Sequence, residues 1–264
     1  MTTFSTTTAA SYKLTQALRY LGGAVLCSAL VMPVAAADHS NLEEGLPTHV
    51  EDAYPVAYRS REVQAVFSYE STDESEDRLT IEPRLEVGVC RNTQVTLRAP
   101  FYAGSADRSG SGDIGLGGLY NFNTETLVLP AFAIAGEAEF PSGKSSSGVD
   151  TTLKFIVTKS VTSSGLDRVH LNLAWRHNGS AEPDESSDRL VGVVGYSRRL
   201  NADTIVVADY VREEAETEGE AANIVELGVR RQLTPLTVLS LGVGAGLGED
   251  SPGVRITAGY QRSF

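Results

Sequence analysis

The sequence predicts an all-β protein, a transmembrane antiparallel up-and-down β-barrel of about 12 strands. Three observations indicate it: apolar residues recur with a period of two, short and long polar connections alternate, and aromatic residues gather near both ends of the strands. After residue 37 no apolar run approaches the roughly 20 residues of a membrane-spanning helix. The mean hydropathy of −0.11 fits a barrel, because lipid-facing and lumen-facing residues alternate along its strands.

Residues 1–37 have the layout of a secretory signal peptide. Lys13 and Arg19 supply positive charge, residues 21–34 are apolar, and residues 35–37 are alanines. Small residues at this point are typical of a signal peptidase site, so we expect cleavage before Asp38 and export to the outer membrane of a Gram-negative bacterium. The alternative is a single-pass anchor, which the short apolar stretch disfavours.

The rest of the chain divides into residues 38–60, a polar lead-in segment, and residues 61–264, the barrel. The lead-in contains Pro47 and Pro55 and shows no period. In the barrel, Val169, Leu171 and Leu173 alternate with polar neighbours, and comparable alternation recurs about twelve times. It is weaker near residues 189–198 and 203–212. An even strand count is typical of bacterial barrels.

The connections favour a membrane barrel over a soluble β-sandwich. Short connections are predicted at residues 90–93, 123–126, 201–203 and 232–235. Longer polar connections are predicted at residues 71–77, 104–112, 141–150, 179–188 and 213–223. Transmembrane barrels alternate short periplasmic turns with long outer loops, whereas a sandwich has no reason to do so. Residues 161–167 are longer than this alternation predicts.

Aromatic residues should form two girdles at the bilayer interfaces. The girdle near the outer ends of the strands would contain Phe67, Phe101, Phe140, Trp175 and Tyr210. The girdle near the inner ends would contain Tyr120, Phe122, Tyr196, Tyr260 and Phe264. A sandwich would instead scatter its aromatic residues through a central core.

Several function classes are disfavoured. The net charge of −12 argues against nucleic-acid binding, which uses basic surfaces. A G-x-G-x-x-G match at residues 110–115 is followed by a strand and not by the helix that nucleotide binding needs, and the Gly-Lys-Ser at residues 143–145 runs into serines. Cys90 is the only cysteine after the leader, so no internal disulfide is possible. We expect no cofactor, no metal ion and no enzymatic activity.

Charged residues of both signs alternate along the predicted inner face. The predicted pore-lining residues are Arg84, Glu86, Arg98, Glu137, Glu139, Lys154, Arg168, His170, Asn172, Arg176, Glu226, Arg230 and Arg255. Twelve strands lie between filled eight-stranded barrels and open sixteen-stranded porins, which indicates a narrow channel or pocket for small solutes. The alternatives are a structural or surface-interaction barrel with a plugged lumen, and a barrel lipid hydrolase that uses His170.

The chain ends in an aromatic residue on the predicted lipid face. Tyr260 and Phe264 would form the signal that the barrel-assembly machinery recognises, and outer-membrane lipid would surround the strands. The alternation also predicts that Leu173→Arg, facing lipid, destabilises the barrel much more than Asn172→Arg, facing the lumen.

Short glycine-containing pieces of the chain carry a family resemblance. They lie at residues 51–55, 79–88, 112–116, 129–130, 139–143, 149–150 and 170–172. In these pieces the sequence resembles the outer-membrane barrels associated with the meta-cleavage pathway of phenol degradation. The resemblance spans most of the chain from residue 51 to about residue 180. It implies a protein that passes small, aromatic or hydrophobic compounds, and it supplies no catalytic residues.

Overall fold

The computed structural model describes residues 39–71, 77–105, 109–144, 146–181, 185–215, 217, 219–248 and 251–264. The predicted signal peptide and its cleavage site before Asp38 lie outside these residues. Within them, no helix is long and apolar enough to cross a membrane.

Strands make up most of the described chain. They are β1 (Arg61–Ser71), β2 (Asp77–Cys90), β3 (Thr93–Arg98), β4 (Phe101–Gly104), β5 (Gly110–Ser111), β6 (Ile114–Asn121), β7 (Ala131–Phe140), β8 (Asp150–Ser160), β9 (Asp167–His177), β10 (Asp188–Asn201), β11 (Thr204–Glu214), β12 (Ala221–Thr234), β13 (Thr237–Gly246) and β14 (Val254–Ser263). Both β3 and β4 pair with β2, and they are separated at Pro100, which has no N–H to donate. Counting β3 with β4 and β5 with β6, the wall has twelve strands.

The sheet closes on itself. Strand β1 pairs antiparallel with β2 on one side and with β14 on the other, so that Glu62 lies opposite both Glu86 and Ser263. All other strand pairs are antiparallel as well, and each joins strands close in sequence. The predicted twelve-strand up-and-down barrel is confirmed.

The two faces of the wall differ as the alternation predicts. In β9, the side chains of Val169, Leu171 and Leu173 are exposed by 39%, 47% and 53%, whereas His170 and Asn172 are each 2% exposed. Exposed large apolar residues recur on the outer face from Val63 in β1 to Ile256 in β14. The barrel therefore has an apolar exterior and a polar interior.

The connections distinguish the two ends of the barrel, which we name the short-loop end and the long-loop end. Tight connections join β2 to β3, β10 to β11 and β12 to β13 at the short-loop end. Longer connections join β7 to β8 and β9 to β10 at the long-loop end. The link between β6 and β7 is longer than predicted and covers residues 122–130. The Asn123 amide organises it by donating to the Pro130 carbonyl (2.8 Å) and accepting from the Phe132 N–H (3.1 Å). The residues of both predicted aromatic girdles are exposed on the outer face.

Candidate functional site

The N-terminal segment, residues 39–60, folds inside the barrel. The sequence predicts it only as a polar lead-in without a period. Its apolar side chains are nevertheless among the most buried of the described chain, with exposures of 1% for Leu46 and Val50 and 0% for Ala53. The segment doubles back on itself, because the Asp52 N–H donates to the Leu42 carbonyl (2.9 Å). The lumen is therefore partly filled by the chain's own N-terminal residues.

Polar side chains of the wall hold the segment by its backbone. The N–H groups of five segment residues donate to side chains of different strands: His49 to Glu226 of β12 (2.8 Å), Val50 to Asp209 of β11 (2.7 Å), Glu51 to Asn172 of β9 (2.8 Å), Ala53 to Thr158 of β8 (3.0 Å) and Val56 to Gln94 of β3 (2.8 Å). The strands follow one another around the wall, so the segment runs along its inner circumference. Each such bond contributes about 0.5–1.5 kcal/mol, and bonds to charged groups contribute about 1.5–3 kcal/mol.

Glycines on the inner face make room for the segment. A Cβ atom built on Gly195 would lie 2.5 Å from Cγ2 of Val50, and one on Gly228 would lie 2.5 Å from Cγ of Pro47. Cβ atoms on Gly242 and Gly259 would overlap the Pro47 carbonyl and the Leu46 side chain. Larger residues at these positions would displace the segment, so its path is built into the sequence of the wall.

Ion pairs fix one part of the segment to the β8–β9 wall. The Lys154 ammonium donates to Glu44 and to Glu51, each at 2.7 Å. Arg176 lies 3.4 Å from Glu44 and 2.5 Å from Glu213. Although burial opposes its ionisation, the charges of Lys154 and Arg176 hold the pKa of Glu44 well below its usual value. This part of the segment is therefore bound as a carboxylate between cations.

A second polar cluster fixes the turn of the segment to strands β12 and β14. Arg255 lies 2.5 Å from Glu70 and 3.5 Å from Glu226, and its Nη1 is 3.0 Å from the ring of His49. The fully buried Arg230 donates to the Leu46 carbonyl (2.9 Å) and to Oε1 of Gln261 (2.5 Å). In the interior, these charged side chains thus pair with one another and with polar groups of the segment.

A cavity of about 320 Å³ remains between the segment and the wall. Its lining includes Glu51, Arg98, Glu137, Lys154, Arg176 and Asn178. Arg98 forms ion pairs with both Glu137 and Glu139. Because Asn178 follows β9 at the long-loop end, the cavity extends from the segment towards that end of the barrel. Its walls carry charges of both signs.

The structure divides the predicted pore-lining residues into two groups. Those that line the cavity are Arg84, Glu86, Arg98, Glu137, Glu139, Lys154 and Arg176. The others, which lie against the N-terminal segment or its immediate partners, are Arg168, His170, Asn172, Glu226, Arg230 and Arg255. Sequence reasoning missed the segment's own groups, Glu44, His49 and Glu51. The glycines on the inner face were the one signal that could have revealed a close neighbour there.

His170 is enclosed and does not face lipid. Its Nδ1 lies 3.1 Å from the Thr158 hydroxyl and its Nε2 lies 2.9 Å from the Ser197 hydroxyl. Thr158 in turn accepts from the N–H of Ala53. With 2% exposure, His170 offers a lipid substrate no access, so this geometry supports a structural role and not the hydrolase alternative.

The fold is that of outer-membrane channels of known structure. The COG4313 outer membrane channel from Pseudomonas putida F1 matches with a TM-score of 0.64 at 13% identity, over 81% of this chain and 98% of that chain. The NanC porin matches with a TM-score of 0.55 at 9% identity, over 77% of this chain and 98% of that chain. The KdgM porin matches with a TM-score of 0.53 at 11% identity, over 76% of this chain and 99% of that chain. No family model and no curated protein matches the sequence.

Proposed function

We propose that this protein is a narrow channel for small solutes in the outer membrane of a Gram-negative bacterium. The observation that carries the proposal is the combination of a closed twelve-strand wall, an apolar exterior and a charged lumen with a cavity beside the N-terminal segment. Outer-membrane lipid would contact the exposed apolar belt. The channels and porins that share the fold support the same function.

The size of the cavity favours small solutes. A volume of about 320 Å³ lies at the lower end of the range of ligand pockets, about 300–1,000 Å³. A one-ring compound fits such a space, since benzene occupies a cavity of about 150 Å³. The charged lining around Arg98 and Lys154 favours solutes that carry polar or ionised groups over bare hydrocarbons. Aromatic solutes and a place in phenol degradation rest on the family resemblance.

The alternative function is a structural barrel whose lumen stays plugged. The five backbone hydrogen bonds that fix the N-terminal segment to the wall favour it, because a permanently bound segment would leave no continuous passage. Conductance separates the two functions. A channel passes ions through the cavity beside the segment, whereas a plugged barrel does not.

The test is a single-channel recording of the protein extracted from outer membranes. The wild type should give small, reproducible steps in current. The double variant Asn172→Ala/Asp209→Ala removes two side chains that hold Glu51 and Val50, and it should give larger or more frequent steps.

His170→Ala is the matched control, because His170 lies on the same inner face but bonds to Thr158 and Ser197 and not directly to the segment. It should conduct like the wild type. Absence of steps from both the wild type and the double variant would contradict the channel and leave the plugged barrel.

A further inference from the structure

Three carboxylates meet where the barrel closes. Glu43 belongs to the N-terminal segment, Glu62 to β1 and Glu86 to β2, and their exposures are 4%, 4% and 3%. One oxygen from each lies within 4.8 Å of the others. The cluster lies near the short-loop end of the closing seam, the place where β1 joins β14 and β2. There Glu62 pairs in register with Ser263 of β14 and with Glu86 of β2.

Unsatisfied oxygens point to a missing ligand at this cluster. Among the residues that the structure describes, Oε2 of Glu86 and Oε1 of Gln64 are buried without a hydrogen-bond donor. Gln64 is fully buried, and its Nε2 donates to Glu43, so its side-chain amide lies at the cluster. A buried oxygen without a hydrogen-bond partner is destabilising, so a bound group that contacts it would stabilise the fold.

Two guanidinium groups lie near the three carboxylates, and their hydrogen bonds go to other acceptors, while Nε of Arg230 is buried without an acceptor. Arg230 donates to the Leu46 carbonyl and to Gln261, while Arg84 donates to Glu82 and to the Glu44 carbonyl. Glu62 accepts from Gln261 and from the Ser263 hydroxyl (2.9 Å). Three carboxylates in a buried space repel one another unless a cation or shared protons neutralise them.

We propose that Glu43, Glu62 and Glu86, with the amide oxygen of Gln64, bind a hard divalent cation such as Ca²⁺. These are oxygen ligands, which Ca²⁺ prefers, and water would complete its coordination. Ca²⁺–oxygen distances are about 2.3–2.6 Å, so ligands on opposite sides of the ion are about 4.6–5.2 Å apart. The three carboxylate oxygens lie within 4.8 Å of one another, so all three can contact one ion.

The cation would join three parts of the chain. Glu43 is the ligand from the N-terminal segment, and Glu62 and Glu86 are the ligands from β1 and β2. The hydrogen bonds of Glu62 to Gln261 and Ser263 extend the link to the last strand. Bound Ca²⁺ would therefore fasten the N-terminal segment to the closing seam of the barrel.

The test measures Ca²⁺ binding to the full chain, extracted in detergent and freed of metal with a chelator. Isothermal titration of the wild type should show one saturable site. Glu86→Gln keeps the size of the side chain and removes its charge, and it should weaken Ca²⁺ binding by about tenfold or more, because ligand charge sets the affinity of such sites. Glu43→Gln should have a similar effect and leaves every wall strand intact.

Asp167→Asn is the matched control. It removes a buried carboxylate from another strand, and Asp167 pairs with Tyr196 and Arg198, outside the cluster. Its Ca²⁺ affinity should equal that of the wild type. Heat-modifiable migration on gels reports folding, so Glu43→Gln decides the matter if Glu86→Gln does not fold. Absence of a saturable site in the wild type, or wild-type affinity in both cluster variants, would overturn the proposal.

Discussion

The carbonyl oxygen of Pro47 occupies the space that a Cβ atom on Gly242 would need. This contact joins the N-terminal segment to β13 without any side chain between them. Gly228 of the neighbouring strand approaches the ring of the same proline in the same way. The wall and the segment are thus complementary in shape, which makes the position of the segment sensitive to a single methyl group.

Gly242→Ala should push the segment out of its position. We expect a larger single-channel conductance and a loss of about 1–3 kcal/mol in unfolding free energy, because overpacking a close contact forces the backbone to move. Gly192→Ala is the control, since a Cβ atom there meets nothing within 4 Å. Equal conductance of the two variants and the wild type would show that the segment does not limit the passage.

The attachment of Glu44 should weaken in acid. Its pKa is held well below the usual value, in spite of burial, by Lys154 of β8, Arg176 of β9 and Arg98 of β3. A depressed pKa stabilises the folded state fully above the unfolded pKa of about 4.3, and this contribution is lost as pH falls through the folded value. The wild type should therefore unfold at a higher temperature than Glu44→Gln at pH 7.

The difference in unfolding temperature between the wild type and Glu44→Gln should shrink as the pH falls below about 4. Glu220→Gln removes a carboxylate from an exposed connection and serves as the control at each pH. A difference that stays constant between pH 7 and pH 3 would mean that the ionised form of Glu44 does not stabilise the fold.

A charged residue on the outer face should destabilise the barrel. Leu173 is 53% exposed on the apolar exterior, and Leu173→Arg should cost about 2–4 kcal/mol if it lies near the bilayer midplane. Thr152→Arg, which adds the same group beside the cavity, should cost much less. Refolding titrations with denaturant in lipid vesicles measure both losses. Equal losses would contradict the assignment of the two faces.

Asn172 is not the harmless position that the alternation predicts. Its amide accepts from the Glu51 N–H and donates to the Glu51 carbonyl, both at 2.8 Å. Asn172→Arg would therefore break two bonds to the segment in a site that is 2% exposed. The sequence predicted the face correctly, because a period of two is local, but it could not show that the lumen beside Asn172 is occupied.

The N-terminal segment explains what could not be predicted. Apart from the closing pair of β1 and β14, each strand of the wall pairs with strands close in sequence, so twelve strands can be counted from local alternation. The segment has no such pattern, because the partners of its N–H groups are side chains such as Asp209 and Glu226, which lie 159 and 177 positions along the chain. The cluster of Glu43, Glu62 and Glu86 is hidden for the same reason, since the path of the segment alone brings Glu43 to the seam.

Phe264 should be needed for assembly in cells more than for stability. Phe264 is 40% exposed on the outer face, and its N–H donates to the Arg61 carbonyl at the start of β1 (3.0 Å). It thus joins the last strand to the first at the short-loop end, where we expect the barrel-assembly machinery to recognise it together with Tyr260. Deleting Phe264 should sharply reduce the heat-modifiable protein in outer membranes and leave refolding in detergent nearly intact. Phe122→Ala removes another exposed aromatic side chain at the same end, 54% exposed, and should assemble normally. If the truncated chain also assembles at the wild-type level, Phe264 only packs against the barrel, a contribution of about 1–2 kcal/mol.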